Sequence, residues 1–282
     1  METQRLRLPD HHRNFVARFI TACQVDKRVL AAFLGGSYVN GEADAFSDLD
    51  LTLITTDADY EQFVAEREAF IAQLGKPLFI EDFDLPNIVF MIFSDGTEVE
   101  LWFASQGHLE HIQSGSFHIL LDKTGILAGA AFPPSEADPA GQTEKLRRLI
   151  YWFWHDLSHF ITASGRGQLW WARGQLDILR GICVNLARLR HNFSDEGAEE
   201  EPYFKLGDAV PPADLSALQA TFCPMELGSM LRSVQIILQF YREVAPPLAQ
   251  AHGVPYPAEL ERVVTERLEK LTATRLQSRR SS

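Results

Sequence analysis

Asp48 and Asp50 stand two residues apart in "SDLDLTLI", a run that alternates Asp48, Asp50 and Thr52 against Leu49, Leu51 and Leu53. A period of two is the signature of a strand with one wet face and one core face. Such a strand projects both carboxylates from the same side, about 6–7 Å apart along the chain. At that spacing two acids can share divalent ions, and hard carboxylate oxygens suit Mg²⁺, which prefers them together with phosphate oxygens. A second acidic face follows in "DGTEVELWF", where Glu98, Glu100 and Trp102 lie opposite Val99 and Leu101. Asp95-Gly96, between this run and "NIVFMIF", is a strong hairpin signal. With the hairpin paired beside the Asp48 strand, three or four acids converge, and such a cluster calls for a cation to neutralise it. Upstream, Gly35-Gly36-Ser37 offers bare backbone amides and a hydroxyl to a phosphate. Amide donors beside paired carboxylates are the parts that phosphoryl or nucleotidyl transfer needs, with two metals holding a triphosphate and activating the attacking oxygen.

The elements that must carry these groups can be read around them. "HHRNFVARFITACQV", from Asp10 to about Asp26, has helical spacing with Phe15, Phe19 and Ile20 on one side, and Asp10 is placed to cap it. "RVLAAFLGG" reads as a short buried strand or strand–helix junction. "DYEQFVAEREAFIAQLG" reads as one amphipathic helix ended by Gly75, and "SFHILLD" as a further strand. The texture then changes. "AGAAFPPSEADPAGQ" is rich in proline and small residues and marks a domain boundary. Beyond it run four long helical patterns, the first opening at Thr143 as a cap and closing at Gly165, with an acidic interruption at "SDEGAEEEPYFKLGDAVPP". The expected architecture is an α/β domain with a mixed or antiparallel sheet over residues 1–130, a linker over 131–142, and an all-α helical bundle over 143–276.

"GGS" followed by "SDLDL" resembles the signature of the nucleotidyltransferase superfamily to which DNA polymerase β belongs. "GSYVNGEADAFSDLDLTLI", "DGTEVELWF", "GSFHIL" and "RGQLWWARGQLDILRGICVNLARL" together resemble lincosamide nucleotidyltransferases, and the same skeleton is similar to aminoglycoside adenylyltransferases. The resemblance implies a catalytic domain followed by a helical substrate-binding and dimerisation domain. It also implies two Mg²⁺ ions, and an NTP such as ATP donating its NMP to a hydroxyl of a small antibiotic-like molecule, in a homodimer. Asp48 and Asp50 carry over as metal ligands, and Gly36 and Ser37 as the phosphate-contacting pair. Glu100 or Glu98 is the third acid and the catalytic base. The alignment of "VEL" favours Glu100, that of "GTEV" favours Glu98, and both point the same way. The lincosamide enzymes carry an acid where this chain has Ser116, and a serine cannot serve as a general base at neutral pH. Two other readings stand beside this one: a nucleotidyltransferase acting on a protein or a tRNA end, and a catalytically weak nucleotide-binding regulator.

Composition narrows the partners. Of 26 basic and 38 acidic residues, residues 1–140 hold 9 and 22, so the whole net charge of −12 lies in that half. A long polyanion such as DNA is repelled by that surface, whereas cations and cationic small molecules are not. The apolar runs fall short of a membrane span and "METQRLRLPDHH" lacks a signal-peptide core, so a cytoplasmic protein without a membrane anchor is expected. Cys23, Cys183 and Cys223 show neither a disulfide framework nor zinc spacing and are expected as reduced, buried thiols. In the helical half, spacing assigns most of Trp152, Trp154, Trp170 and Trp171 to the core. Arg166, Arg173 and Arg180 recur every seven residues, a pattern that fits either a stripe facing a triphosphate, with Arg173 as a nucleotide contact, or plain surface arginines. His155 and His159 stand four apart with Asp156 beside them. With no further ligand evident, they read as packing or hydrogen-bonding residues rather than a zinc site.

Overall fold

The structure, a computed structural model, describes residues 8–112, 115–132, 139–193 and 202–280. The chain divides into two compact units, Met1–Glu136 and Ala137–Ser282. Among the described residues no helix is long and apolar enough to cross a membrane.

The first unit opens with α1 (Asp10–Val25), whose Phe15, Phe19, Ala22 and Cys23 recur at three- and four-residue intervals and are buried. Asp10 is not the cap: Pro9 occupies that position, and Asp10 lies in the first turn, paired with Arg13 at 2.9 Å. After α1 come β1 (Val29–Leu34), the short α2 (Gly36–Asn40) and β2 (Leu49–Thr55). The segment expected as one helix is two, α3 (Asp57–Ala65) and α4 (Arg67–Leu74), broken at Glu66. Thr56 caps α3 by accepting from the Asp59 amide at 3.1 Å. Gly75 follows α4 with φ 139°, a conformation suited to glycine. An edge strand that the sequence reading had not assigned, β3 (Pro77–Glu81), precedes the hairpin of β4 (Ile88–Phe93) and β5 (Glu98–Ser105). A 3-10 turn, Gln106–His111, leads on to β6 (His118–Asp122).

The six strands form a mixed sheet in the order β3-β4-β5-β2-β1-β6. Only β2 and β5 run parallel, with Asp50 opposite Glu100 and Thr52 opposite Trp102. One face of the sheet packs against α1, α3 and α4 through Leu51, Leu53, Leu101, Phe63 and Phe70. Each fully buried residue of this kind stabilises by about 1.5–3 kcal/mol. On the other face a smaller cluster of Ala31, Phe33, Ile54, Leu127 and Phe132 covers part of the sheet, with Phe33 stacked on Phe132 at 5.2 Å. The remainder of that face, carrying Asp50, Thr52, Glu100 and Trp102, borders a cleft.

The second unit is all helical: α5 (Pro139–Gly165), α6 (Leu169–His191), α7 (Leu206–Ala209), α8 (Pro212–Gln219), α9 (Leu227–Ala251) and α10 (Ala258–Arg280). Thr143 lies inside α5, donating to the Pro139 carbonyl at 2.7 Å, so it does not cap the helix. The acidic interruption falls partly outside the described residues, and its described part contains α7. The core runs through Ile150, Phe153, Trp154 and Leu157 of α5, Leu179 and Cys183 of α6, and Ile237 and Tyr241 of α9. Tyr241 stacks on Phe153 at 3.7 Å and donates to the Ile150 carbonyl at 2.9 Å. The tryptophans depart from expectation. Trp154 is fully buried, whereas Trp152, Trp170 and Trp171 are 53%, 83% and 37% exposed. Helical spacing finds the apolar stripe but not its width, and large rings at its margin stay wet.

Candidate active site

The loop before β2 prepares Asp48. Asp44 Oδ1 accepts from the Phe46 amide at 2.8 Å and the Asp44 amide donates to Ser47 Oγ at 2.9 Å, so Asp44 shapes the turn. Leu49 and Leu51 are buried on the core side of β2, which turns Asp50 to the opposite face. Across the parallel ladder Glu100 is its direct neighbour, held by Trp102, whose Nε1 donates to Glu100 Oε1 at 2.5 Å. Burial first, then the charges of Asp48 and Glu100, push the Asp50 carboxyl up to about 6. Glu98 occupies the same side of β5 but is exposed and pairs with Ile92. Neither the cleft lining nor the groups acting on Asp50 include it. Among the described residues, none of these four carboxylates has a cationic side chain in salt-bridge range.

The glycine–serine turn closes against the same acid. The Gly35 amide donates to the Asp50 carbonyl at 2.9 Å, and Gly36 follows with φ 61°. A Cβ at Gly36 would stand 1.6 Å from Asp50 Oδ2, so only glycine fits both the dihedral and the space. The Ser37 hydroxyl is buried and has no hydrogen-bond partner. Buried polar groups are usually paired, so this hydroxyl is free to donate or accept. Tyr38 anchors the turn from below, its hydroxyl 2.6 Å from Nδ1 of the buried His12, whose pKa is lowered chiefly by burial. The sequence reading missed this brace, because nothing local ties residue 12 to residue 38.

The cleft on this face has a volume of about 730 Å³. Gly35, Gly36, Asp50 and Glu100 line one end. Ser105 and His108 line it as well, about 16 Å further along β5 by the strand rise. There the Ser105 hydroxyl lies 2.8 Å from His108 Nδ1. The Gly107 amide donates to Asp57 Oδ1 at 2.7 Å and is the main cause of that carboxyl's lowered pKa. These polar groups were not singled out from sequence either.

A family model described as streptomycin adenylyltransferase matches residues 11–271. The chain belongs to the streptomycin adenylyltransferase family. It is thus a nucleotidyltransferase enzyme, a member of the superfamily that the motifs resemble, of aminoglycoside type. The chain is similar to a crystal structure of an aminoglycoside 6-adenyltransferase from Bacillus subtilis, with 15% identity over 92% of this chain and 97% of that one, at a TM-score of 0.45. A nucleotidyltransferase-like protein from Exiguobacterium sibiricum is similar at 10% identity over 86% and 77%, with a TM-score of 0.40. Among curated proteins none matches the chain.

The remaining expected site residues are held as follows. Arg173 lies on α6 of the second unit, its guanidinium bonded to Asp177 at 3.1 Å and to the Cys223 carbonyl at 3.1 Å. The seven-residue stripe does not form on one helix face. Arg166 follows the end of α5, and Arg180 is 1% exposed, bonded to Asp177, Thr221 Oγ1 and the Thr221 carbonyl. Ser116 is exposed, two residues before β6. Cys23 and Cys183 are buried free thiols and Cys223 is half-buried.

Proposed function

We propose that the chain transfers the NMP of an NTP, with ATP as the reference donor, to a hydroxyl of an aminoglycoside-type antibiotic. The observation that carries this reading is the meeting of Asp50 with Glu100 on one side and with the Gly36–Ser37 turn on the other. The donor set fits Mg²⁺. It consists of carboxylate oxygens without cationic partners, and one of them, Asp50, already resists ionisation because it is buried and has Asp48 and Glu100 beside it. Asp48, Asp50 and Glu100 would hold the metal, which when bound supplies positive charge to the phosphate oxygens and the attacking oxygen.

The chain's own groups do the rest. The Ser37 hydroxyl donates to a phosphate oxygen, and the bare backbone at Gly36 lets the triphosphate come close. Glu100, oriented by Trp102, accepts the proton of the acceptor hydroxyl. The freed oxygen attacks the α-phosphorus, the bond to the β-phosphate oxygen breaks, and pyrophosphate leaves. Glu98, exposed beside the cleft, is the lesser candidate for base. Arg173 is assigned to bracing α6 against the Cys223 carbonyl instead of to the nucleotide. The acidic charge of residues 1–140 favours a polycationic acceptor over a tRNA end. Lincosamides, which carry one amine, are the second acceptor class.

The test incubates purified protein with Mg²⁺, each of ATP, GTP, CTP and UTP, and a panel of aminoglycosides and lincosamides. Pyrophosphate release is followed and products are weighed by mass spectrometry. An NMP adduct on an aminoglycoside, absent with Asp50→Ala, is expected. Pyrophosphate release with no panel member, or label from ATP appearing on protein or tRNA, overturns the reading.

A further inference from the structure

The second unit carries a different set of metal-ligating groups. His155, Asp156 and His159 lie on one turn of α5, and one ligand atom from each falls within 4.8 Å of the other two. Two imidazoles and a carboxylate are unlike the all-oxygen set on the sheet. Nitrogen donors suit borderline transition ions such as Zn²⁺, whereas carboxylates alone suit Mg²⁺.

The surroundings hold these side chains in place. Asp156 is 6% exposed, and its one side-chain partner among the described residues is His155 Nδ1 at 3.0 Å. A buried carboxylate is tolerated only when its charge is matched, and one imidazole contact is a weak match. The two imidazole rings lie 4.3 Å apart. Trp152 sets its edge against His155 at 4.8 Å, and Trp171 of α6 leans on His159 at 5.7 Å. Large neighbours on both sides restrict the rotamers. Tetrahedral ligands at ordinary Zn–N distances sit about 3.4 Å apart, so modest side-chain rotation closes the set. The His155 side chain is 49% exposed, which leaves the cluster open to ions from solution.

We propose that His155, Asp156 and His159 form a binding site for a borderline divalent transition cation, with Zn²⁺ as the reference ion. Three protein ligands leave one tetrahedral position for water or an external donor. The site is made of residues the nucleotidyl-transfer reading does not use, and it stands or falls independently of that reading. The sequence had offered the i, i+4 histidine pair with Asp156 beside it. Packing adds the third ligand, because burial places the Asp156 carboxylate against His155 rather than in solvent.

The experiment uses tag-free, full-length protein stripped of metal. Zn²⁺ is titrated by calorimetry, and Co²⁺ is followed by its visible absorption. One equivalent is expected to bind with a Kd on the order of 10 μM or tighter, with a tetrahedral Co²⁺ spectrum. His155→Ala and His159→Ala are each expected to weaken binding at least ~10-fold, as a lost ligand does. His11→Ala, in the other neighbouring imidazole pair, His11–His12, should leave it unchanged. Because His155 is on the surface, its variant folds even if Asp156→Asn does not. Failure of the wild type to bind Zn²⁺ stoichiometrically overturns the proposal. So does an unchanged Kd in both α5 histidine variants, or loss of binding in His11→Ala.

Discussion

Two groups of buried and half-buried charge, one in each unit, are handled in opposite ways. In the helical unit, Arg180 is sealed from solvent but bonds Asp177, Thr221 Oγ1 and a carbonyl. There Asp214 sits between Arg190 and His191. Burial tends to raise the Asp214 carboxyl, and those two partners reverse it, so its pKa is lowered. In the sheet unit the charges of Asp48 and Glu100 bear on Asp50 with no cationic side chain in salt-bridge range among the described residues, the Ser37 hydroxyl has no hydrogen-bond partner, and the Asp50 carboxyl is raised. Acids clustered so that each raises the cost of ionising the next are a mark of a candidate ligand site, and Asp50 and Glu100 on β2 and β5 carry that mark.

Asp50→Asn should separate the two regions most widely. It keeps the shape and removes a charge, so turnover is expected to fall at least ~1,000-fold, on the scale of losing a key electrostatic group. The same change should raise the Tm of the metal-free protein by roughly 3–6 °C, for about 1–2 kcal/mol of relieved repulsion. Differential scanning calorimetry beside a turnover assay checks both, and a fall in Tm would break the comparison. Arg180→Ala is the converse. It leaves Asp177 and Thr221 short of a partner and is expected to destabilise by about 3–5 kcal/mol in urea unfolding. The folded fraction should keep its kcat.

Smaller effects sharpen the contrast. Ser37→Ala removes an oxygen that has no partner, so stability should stay within about 0.5 kcal/mol while KM for the NTP rises roughly 10-fold. An equal drop in stability would mean that the hydroxyl already serves the fold. Glu100→Gln should reduce kcat by at least ~100-fold, in the range of general-base loss, and Glu98→Gln by far less. A reversed order would return the third acid to Glu98. Stability against pH gives the last distinction. Asp50 is pushed up to about 6, above the usual carboxylate range, so the folded state binds its proton more tightly. Its contribution is present at low pH and is lost as pH rises from about 4 to 6. For Asp214, with a lowered pKa, stability is present above the unfolded value and is lost as pH falls through the folded one. Asn mimics the protonated acid at both sites, so the Tm profiles of Asp50→Asn and Asp214→Asn should meet wild type at low pH and part from it in opposite directions as pH rises, Asp50→Asn lying above wild type and Asp214→Asn below. Added Mg²⁺ should bind more tightly to the wild type as pH climbs to about 6 and level off above it, because metal competes with the Asp50 proton.

Local pattern carried much of this into view. Alternation in β2 turned Asp50 to the face opposite Leu49 and Leu51, and the change of texture read near residue 131 lies a few residues before the division of the chain at Glu136. The choice between Glu98 and Glu100 was not legible, because both obey the same alternation and only the parallel register of β5 on β2 brings one of them to Asp50. Long-range pairing also hid the His12–Tyr38 brace and the burial of Arg180. The break between α3 and α4 at Glu66 was missed because no glycine or proline marks it. The tryptophans were misplaced because periodicity gives a direction, not a depth.

The contact between Gly36 and Asp50 also bears on how this chain can drift. Any single-residue change that gives position 36 a side chain collides with the acid 1.6 Å away. Loss of the acid opens that space, and a side chain at 36 then meets only the remaining dihedral penalty. The two positions are epistatic: a lineage that first loses the carboxylate is freed to lose the glycine, and return to an active enzyme then requires both reversions, with glycine restored before aspartate.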